Sequence, residues 1–381
     1  MRIGSLFGFP ILIHWTFLII IPLFAWIIGS TVIPLTSFIQ GFYSFITFNS
    51  YIIPIDTTLI TAGFMPYILG AIVAIGLFIG VLIHEIAHSL VAKKNGIKIS
   101  SITLLIFGGV STMEEGSPDP KVELPMALAG PVTSFVIGVI STGLGYASTF
   151  IPTNPPVAGA FAFAFGYLGL TNILLFGFNM IPAFPMDGGR VLRAWFAMRM
   201  PLPEATRIAA NVGKAFAIIF GIIGVIGLNP ILILIAVFIY FGAGQEASAT
   251  KYNFLLKDVT VGDMMSGPVV SVTPEMPVRN VIELMYSSKH LGFPVVERGA
   301  LVGMITVADV HKIHPIDRDA MQVRDVMSRQ PLTLPPEAPV IDALRIMSVR
   351  DIGRIPVVKD EQLVGIVTRT DILKVIELKE I

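Results

Sequence analysis

Six long apolar segments fill most of the first 250 residues, at 11–29, 64–92, 124–150, 161–181, 204–228 and 231–247. At ~1.5 Å of rise per residue, helices of these lengths cross most or all of a hydrocarbon core ~30 Å thick. The whole chain of 381 residues is 54% hydrophobic and only 14% charged, with a mean hydropathy of +0.79. That balance excludes an ordinary soluble enzyme. After Lys251 charged residues become frequent and apolar runs shorten to strand or helix-face length. The sequence therefore predicts an α-helical polytopic membrane domain of about six transmembrane helices over residues 1–250, followed by a soluble α/β module.

Lys plus Arg and Asp plus Glu balance at 26 each, which gives no sign of a nucleic-acid partner. Cysteine is absent, so disulfides and thiolate metal sites are excluded and His, Asp and Glu remain as ligands. They concentrate at His84-Glu85-Ile86-Ala87-His88, at the end of the second apolar segment. In a helix, residues four apart share a face, so both imidazoles can reach one ion. Glu85 lies beside that ion, placed to take a proton from a water that the metal activates. This is the H-E-x-x-H pattern of zinc hydrolases, and an ionisable trio inside a membrane segment is costly unless it works.

Two further stretches bear on the same chemistry. Residues 97–113 are rich in β-branched side chains and contain Gly108-Gly109, which predicts a short membrane-associated β-hairpin. It either leans into the protein beside the histidines or lies on the surface. Asn179-Met180-Ile181-Pro182-Ala183-Phe184-Pro185-Met186-Asp187-Gly188-Gly189 ends the fourth segment with two helix-breaking prolines and two conformationally free glycines. The expectation is an unwound segment holding Asp187 as the third metal ligand. Its competitors are Glu114 and Glu115, and a plain turn aspartate fits the same composition. Asn179 has an amide suited to a substrate carbonyl or developing oxyanion, and equally to capping a helix end. Residues 30–63, interrupted by Pro34, Gly41, Asn49, Pro54 and Asp56, read as an excursion on the face without Lys or Arg.

Lys93, Lys94, Arg190, Arg193, Arg199 and Arg207 all fall on one side if each segment crosses once. The positive-inside rule then places both termini and the soluble module in the cytoplasm of a multi-pass cell-membrane protein.

The soluble part repeats itself after 62 residues. Pro294-Val295-Val296 recurs as Pro356-Val357-Val358, and Gly303, Thr306 and Asp309 recur as Gly365, Thr368 and Asp371. Two βαββα units, 251–320 and 321–381, each bury a face against the other. Thr306 with Asp309 and Thr368 with Asp371 have capping-box spacing; the same groups can hold a phosphate and a ribose diol.

His84-Glu85-x-x-His88, Gly108-Gly109, Ala129-Gly130-Pro131 and the Asn179 to Gly188 segment resemble the site-2 protease family of intramembrane zinc metalloproteases. The paired Gly-x-x-Thr-x-x-Asp segments resemble tandem cystathionine-β-synthase-type (CBS) domains. The resemblance implies one zinc per chain on His84, His88 and Asp187, with Glu85 as catalytic acid and base and Asn179 at the scissile carbonyl. It implies a membrane-spanning protein substrate, an adenine nucleotide at Thr306, Asp309, Thr368 and Asp371, and pairing of two chains through the CBS domains. The competing expectation is a metal-ion transporter or channel gated by the CBS pair; a non-catalytic nucleotide sensor leaves Glu85 unexplained.

Overall fold

The computed structural model describes residues 2–48, 52–105, 108–113, 119–151 and 153–379. Two compact units divide the chain, Met1–Thr250 and Lys251–Ile381.

The first unit opens with a hairpin of β1 (Arg2–Leu6) and β2 (Phe9–Ile13). Its two-residue loop, Phe7-Gly8, has positive φ at both positions, the backbone that matches strand twist in a tight hairpin. The expected first span over 11–29 is thereby corrected. Ile11 to Ile13 belong to a strand, and helix α1 (Phe17–Ser30) has only 14 residues. At ~1.5 Å per residue it falls short of the hydrocarbon thickness. It meets α2 (Val32–Ile46) at 77°, so the stretch expected as an excursion contributes a helix. Tyr43 of α2 is fully buried and its hydroxyl donates to Ala162 O at 2.8 Å.

Helix α3 (Met65–Lys94) carries the His-Glu-x-x-His stretch. Then come β3 (Ile99–Leu105), β4 (Gly108–Met113), α4 (Pro120–Ser148), α5 (Pro155–Asn179), α6 (Asp187–Ala197), α7 (Leu202–Ile226) and α8 (Pro230–Leu256). Among the described residues, α3, α4, α5, α7 and α8 have the length and apolarity to cross a membrane. The bent α1–α2 pair makes a sixth if it counts as one span. Helices α4 and α5 approach closely because Gly138, Gly145, Gly166 and Gly169 line their contact; a side chain at any of them would meet the opposing helix or Tyr43. Small residues serve this purpose between helices in lipid, where apolar burial gives no net drive.

The predicted hairpin is present as β3–β4, within a four-stranded sheet ordered β1-β2-β3-β4. Strand alternation turns Ile102 and Leu104 inward, where Ile102 packs with Phe9 and Ile86, and Leu104 with Phe78. Ile86 and Phe78 belong to α3. The sheet therefore leans on the helix that carries the histidines, and Lys93 ties its far end down by donating to Phe7 O at 2.9 Å.

In the second unit, the first repeat comprises α9 (Val261–Met264), α10 (Val278–Ser288), β5 (Gly292–Glu297), β6 (Ala300–Thr306) and α11 (Val307–His311). The second comprises α12 (Val323–Val326), β7 (Ser328–Arg329), α13 (Val340–Val349), β8 (Arg354–Lys359), β9 (Gln362–Thr368) and α14 (Arg369–Lys379). Apart from β7, which pairs with β6, each element starts 62 residues after its counterpart, as the sequence repeat requires. The sheet runs β5-β6-β9-β8. The opening helices are exchanged: Val261 and Met264 pack with Val340, Ile355 and Val357, whereas Val323 packs with Val278, Phe293 and Val295. Neither repeat closes its core alone.

Candidate metal centre

His84 and His88 lie on one face of α3 with ring centroids 4.7 Å apart. Their Nε2 atoms are separated by 3.1 Å, and each lies 3.2 Å from Asp187 Oδ2. The three side chains are nearly enclosed, at 5%, 8% and 9% exposure. They form the one group of three potential metal ligands found among the described residues.

The outer ring nitrogens are committed elsewhere. His88 Nδ1 lies 2.6 Å from Met126 O; a carbonyl only accepts, so Nδ1 carries the proton and Nε2 presents its lone pair to the centre. His84 Nδ1 lies 2.8 Å from Ser134 Oγ, a hydroxyl able to accept its proton and so leave the Nε2 lone pair facing the centre. Two lone pairs and a carboxylate oxygen then converge within about 3.2 Å, an arrangement that repels unless a cation is shared. Tetrahedral zinc ligands at ~2.0–2.1 Å from the ion stand ~3.3–3.4 Å apart, close to the separations seen. The residues present fit a divalent ion.

Helix α4 supplies the wall. Met126, Gly130 and Ser134 follow each other at four-residue spacing on one face, and a side chain on Gly130 would collide with the Nε2 atoms of both histidines. Asp187 reaches the centre because α5 stops at Asn179 and α6 starts at Asp187 itself, whose charge suits a helix N-terminus. The intervening segment is unwound, as the prolines predict. Gly188 and Gly189 differ from expectation: neither has positive φ. Both are helical and allow close approach, since side chains there would strike the backbone of Ile181, Ala183 and Phe184.

Glu85 is outside this group of three. Its Oε2 accepts from Ser111 Oγ at 3.0 Å, and Ser111 Oγ is 3.1 Å from Ser89 Oγ. Strand β4 presses on it so closely that a side chain on Gly109 would overlap the Glu85 chain. Asn179 donates to Leu175 O at 2.9 Å, a bond within its own helix. Glu114 and Glu115 lie outside the described residues.

Arg193 of α6, one of the charges on the basic side, is only 4% exposed. It ion-pairs with buried Glu123 of α4 and with Glu246 of α8, and its guanidinium stacks 5.1 Å from the Phe184 ring. This triad fixes the helix that begins with Asp187 against the helix that anchors both imidazoles. The charge of Glu123, immediately before a predicted span, was the sequence sign of it.

In the second unit, the backbone N–H and hydroxyl of Thr306 donate to Asp309 Oδ2 at 3.0 and 2.7 Å. Thr368 does the same to Asp371 at 3.0 and 2.6 Å. Both pairs are capping boxes with preset hydroxyls and carboxylates.

The model of peptidase family M50 matches residues 72–156 and 149–220, which hold His84, Glu85, His88 and Asp187, and that of the CBS domain matches 261–314 and 323–378. A zinc metalloprotease of Methanocaldococcus jannaschii is 37% identical over 351 residues, covering 89% of this chain and 98% of that protein. The chain belongs to peptidase family M50. This M50 peptidase is a metalloendopeptidase with a helical membrane domain and a C-terminal CBS pair. The peptidase is also 28% identical to Rip3 of Mycobacterium tuberculosis, across 99% of this chain and 92% of that one. A solved site-2 protease from M. jannaschii is 35% identical, covering 65% of this chain and 94% of its own, at a TM-score of 0.40.

Proposed function

We propose that this peptidase holds one zinc ion on His84, His88 and Asp187 and hydrolyses peptide bonds in or near the membrane-spanning segments of other proteins. The observation that carries this reading is the placement of Asp187 Oδ2 at 3.2 Å from both inward-facing imidazole nitrogens, brought there across about a hundred residues of sequence. Zinc supplies Lewis acidity there, polarising a carbonyl and lowering the pKa of water to ~7.

The protein groups do the rest. Met126 O and Ser134 Oγ hold the imidazoles so that their lone pairs face inward, and buried acceptors of this kind raise ligand basicity. Ser111 occupies one oxygen of Glu85, which leaves the other to take the proton of the attacking water and return it to the leaving amine. Asn179, with one amide hydrogen spent on Leu175, keeps its second hydrogen for the scissile carbonyl. A helical substrate must unwind first, since its carbonyls are otherwise bonded within the helix. Transport of the ion as cargo would leave Glu85 and its Ser111 brace without a role.

Arg193 is neutralised in its triad, and Lys93, Lys94, Arg190, Arg199 and Arg207 still favour a cytoplasmic placement of both termini and the CBS pair. Thr306 with Asp309, and Thr368 with Asp371, would hold the phosphate and ribose of an adenine nucleotide that regulates cleavage, and the CBS domains would also pair two chains.

The direct test is incubation of the purified protein in detergent with a single-span substrate. Cleavage is expected, abolished by a chelator and restored by zinc; cleavage that persists after the chelator has removed all metal contradicts the reading.

A further inference from the structure

The two halves of the CBS pair differ at a position where the second repeat reaches across to the first. Gly292 opens β5 and Arg354, 62 residues later, opens β8. Gly292 is the register partner of Thr306, and Arg354 of Thr368. The Arg354 side chain leaves its own repeat: its Nη1 donates to Gly292 O at 2.7 Å. The same atom is 3.2 Å from the point where a side chain on Gly292 would start, which is itself 3.2 Å from Thr306 Cα. One guanidinium thus extends from the backbone beside Thr368 to the backbone beside Thr306, and glycine at the matching place in the first repeat has nothing to answer it.

That guanidinium is half-buried and short of partners. It offers five N–H donors, and among the described residues a single backbone carbonyl is its hydrogen-bond partner. No carboxylate among the described residues pairs with it, and burial alone holds its pKa below the ordinary guanidinium value. A partly desolvated cation without a counter-charge is unfavourable until an anion arrives, and a planar donor fork matches phosphate. The other arginine nearby does not compete. Arg369, next to Thr368, is turned away and donates to Met347 O at 3.1 Å and Ile352 O at 3.4 Å.

We infer that Arg354 is the phosphate-binding residue of the CBS pair, serving the Thr306 side, so that the two pseudo-equivalent sites are unequal and one phosphorylated nucleotide binds per chain. This rests on the nucleotide reading proposed above. On the Thr368 side Arg369 spends its guanidinium on the Met347 and Ile352 carbonyls, and the one guanidinium of Arg354 cannot neutralise two phosphates.

The test is calorimetric titration of the full-length protein in detergent with AMP, adenosine and inorganic phosphate. The wild type is expected to bind one AMP per chain, about ten-fold or more tighter than adenosine, as a charge-assisted contact warrants. Inorganic phosphate is expected to bind more weakly than AMP. In Arg354→Gln the AMP affinity should fall to within about two-fold of adenosine, with adenosine binding and the ligand-free melting temperature unchanged; Arg354→Lys should keep part of the preference. An AMP preference that survives Arg354→Gln, two equal AMP sites per chain, or phosphate binding as tight as AMP overturns the inference while adenosine binding leaves the nucleotide reading standing. Absence of binding by AMP and adenosine alike overturns both.

Discussion

Glu85→Gln is expected to keep its zinc and to cleave a single-span substrate about 10²–10⁴-fold more slowly, the usual worth of a positioned acid and base. The two properties separate because Glu85 is not one of the atoms that converge on the centre. The proposed ligand set is His84, His88 and Asp187, held from outside by Met126 and Ser134, and none of these contacts involves Glu85. A glutamine keeps the length of the chain and an oxygen that accepts from Ser111, so strand β4 stays seated. What is lost is the capacity to carry a proton. Zinc content by elemental mass spectrometry and cleavage by gel, on one preparation, read both sides. Wild-type cleavage by the Gln variant would remove Glu85 from the mechanism.

Gly130→Ala is expected to lower zinc affinity on the order of 10²-fold or more, at the upper end of losses around metal ligands, and to abolish cleavage with it. The added methyl would overlap the Nε2 atoms of both histidines. Helix α4 cannot easily retreat, because Met126 and Ser134, one turn to either side, hold the same two rings. Nor can the rings turn away without giving up those bonds. The helix itself tolerates alanine better than glycine, so folding should survive, as circular dichroism and gel filtration would show. Full zinc occupancy and full activity in this variant would place the metal elsewhere.

Much of this site is written in local spacing. His84 and His88 are four apart on an apolar helix, and Pro182 and Pro185 announce the break before Asp187. The 62-residue repeat likewise foretells the start of nearly every element of the CBS pair. What escaped was tertiary or masked by apolar continuity. Strand β2 and α1 are both apolar and only His14, Trp15 and Thr16 part them, too short a break for periodicity to separate them; the Phe7-Gly8 turn was the available sign. The Met126, Gly130 and Ser134 stripe has helical spacing but gains meaning only when α4 lies against α3. The burial of Arg193 was not legible because its partners, Glu123 and Glu246, are 70 and 53 residues away in sequence. Arg354 is visible once the repeats are superposed, since charge stands opposite glycine there, yet its reach to Gly292 depends on how the two repeats close.

The most direct measurement is zinc stoichiometry of the purified full-length protein beside Asp187→Ala, after equal dialysis against a weak chelator. The account predicts one zinc per wild-type chain and none in the variant, with both proteins folded. One zinc retained by Asp187→Ala, or none in an active wild type, contradicts it.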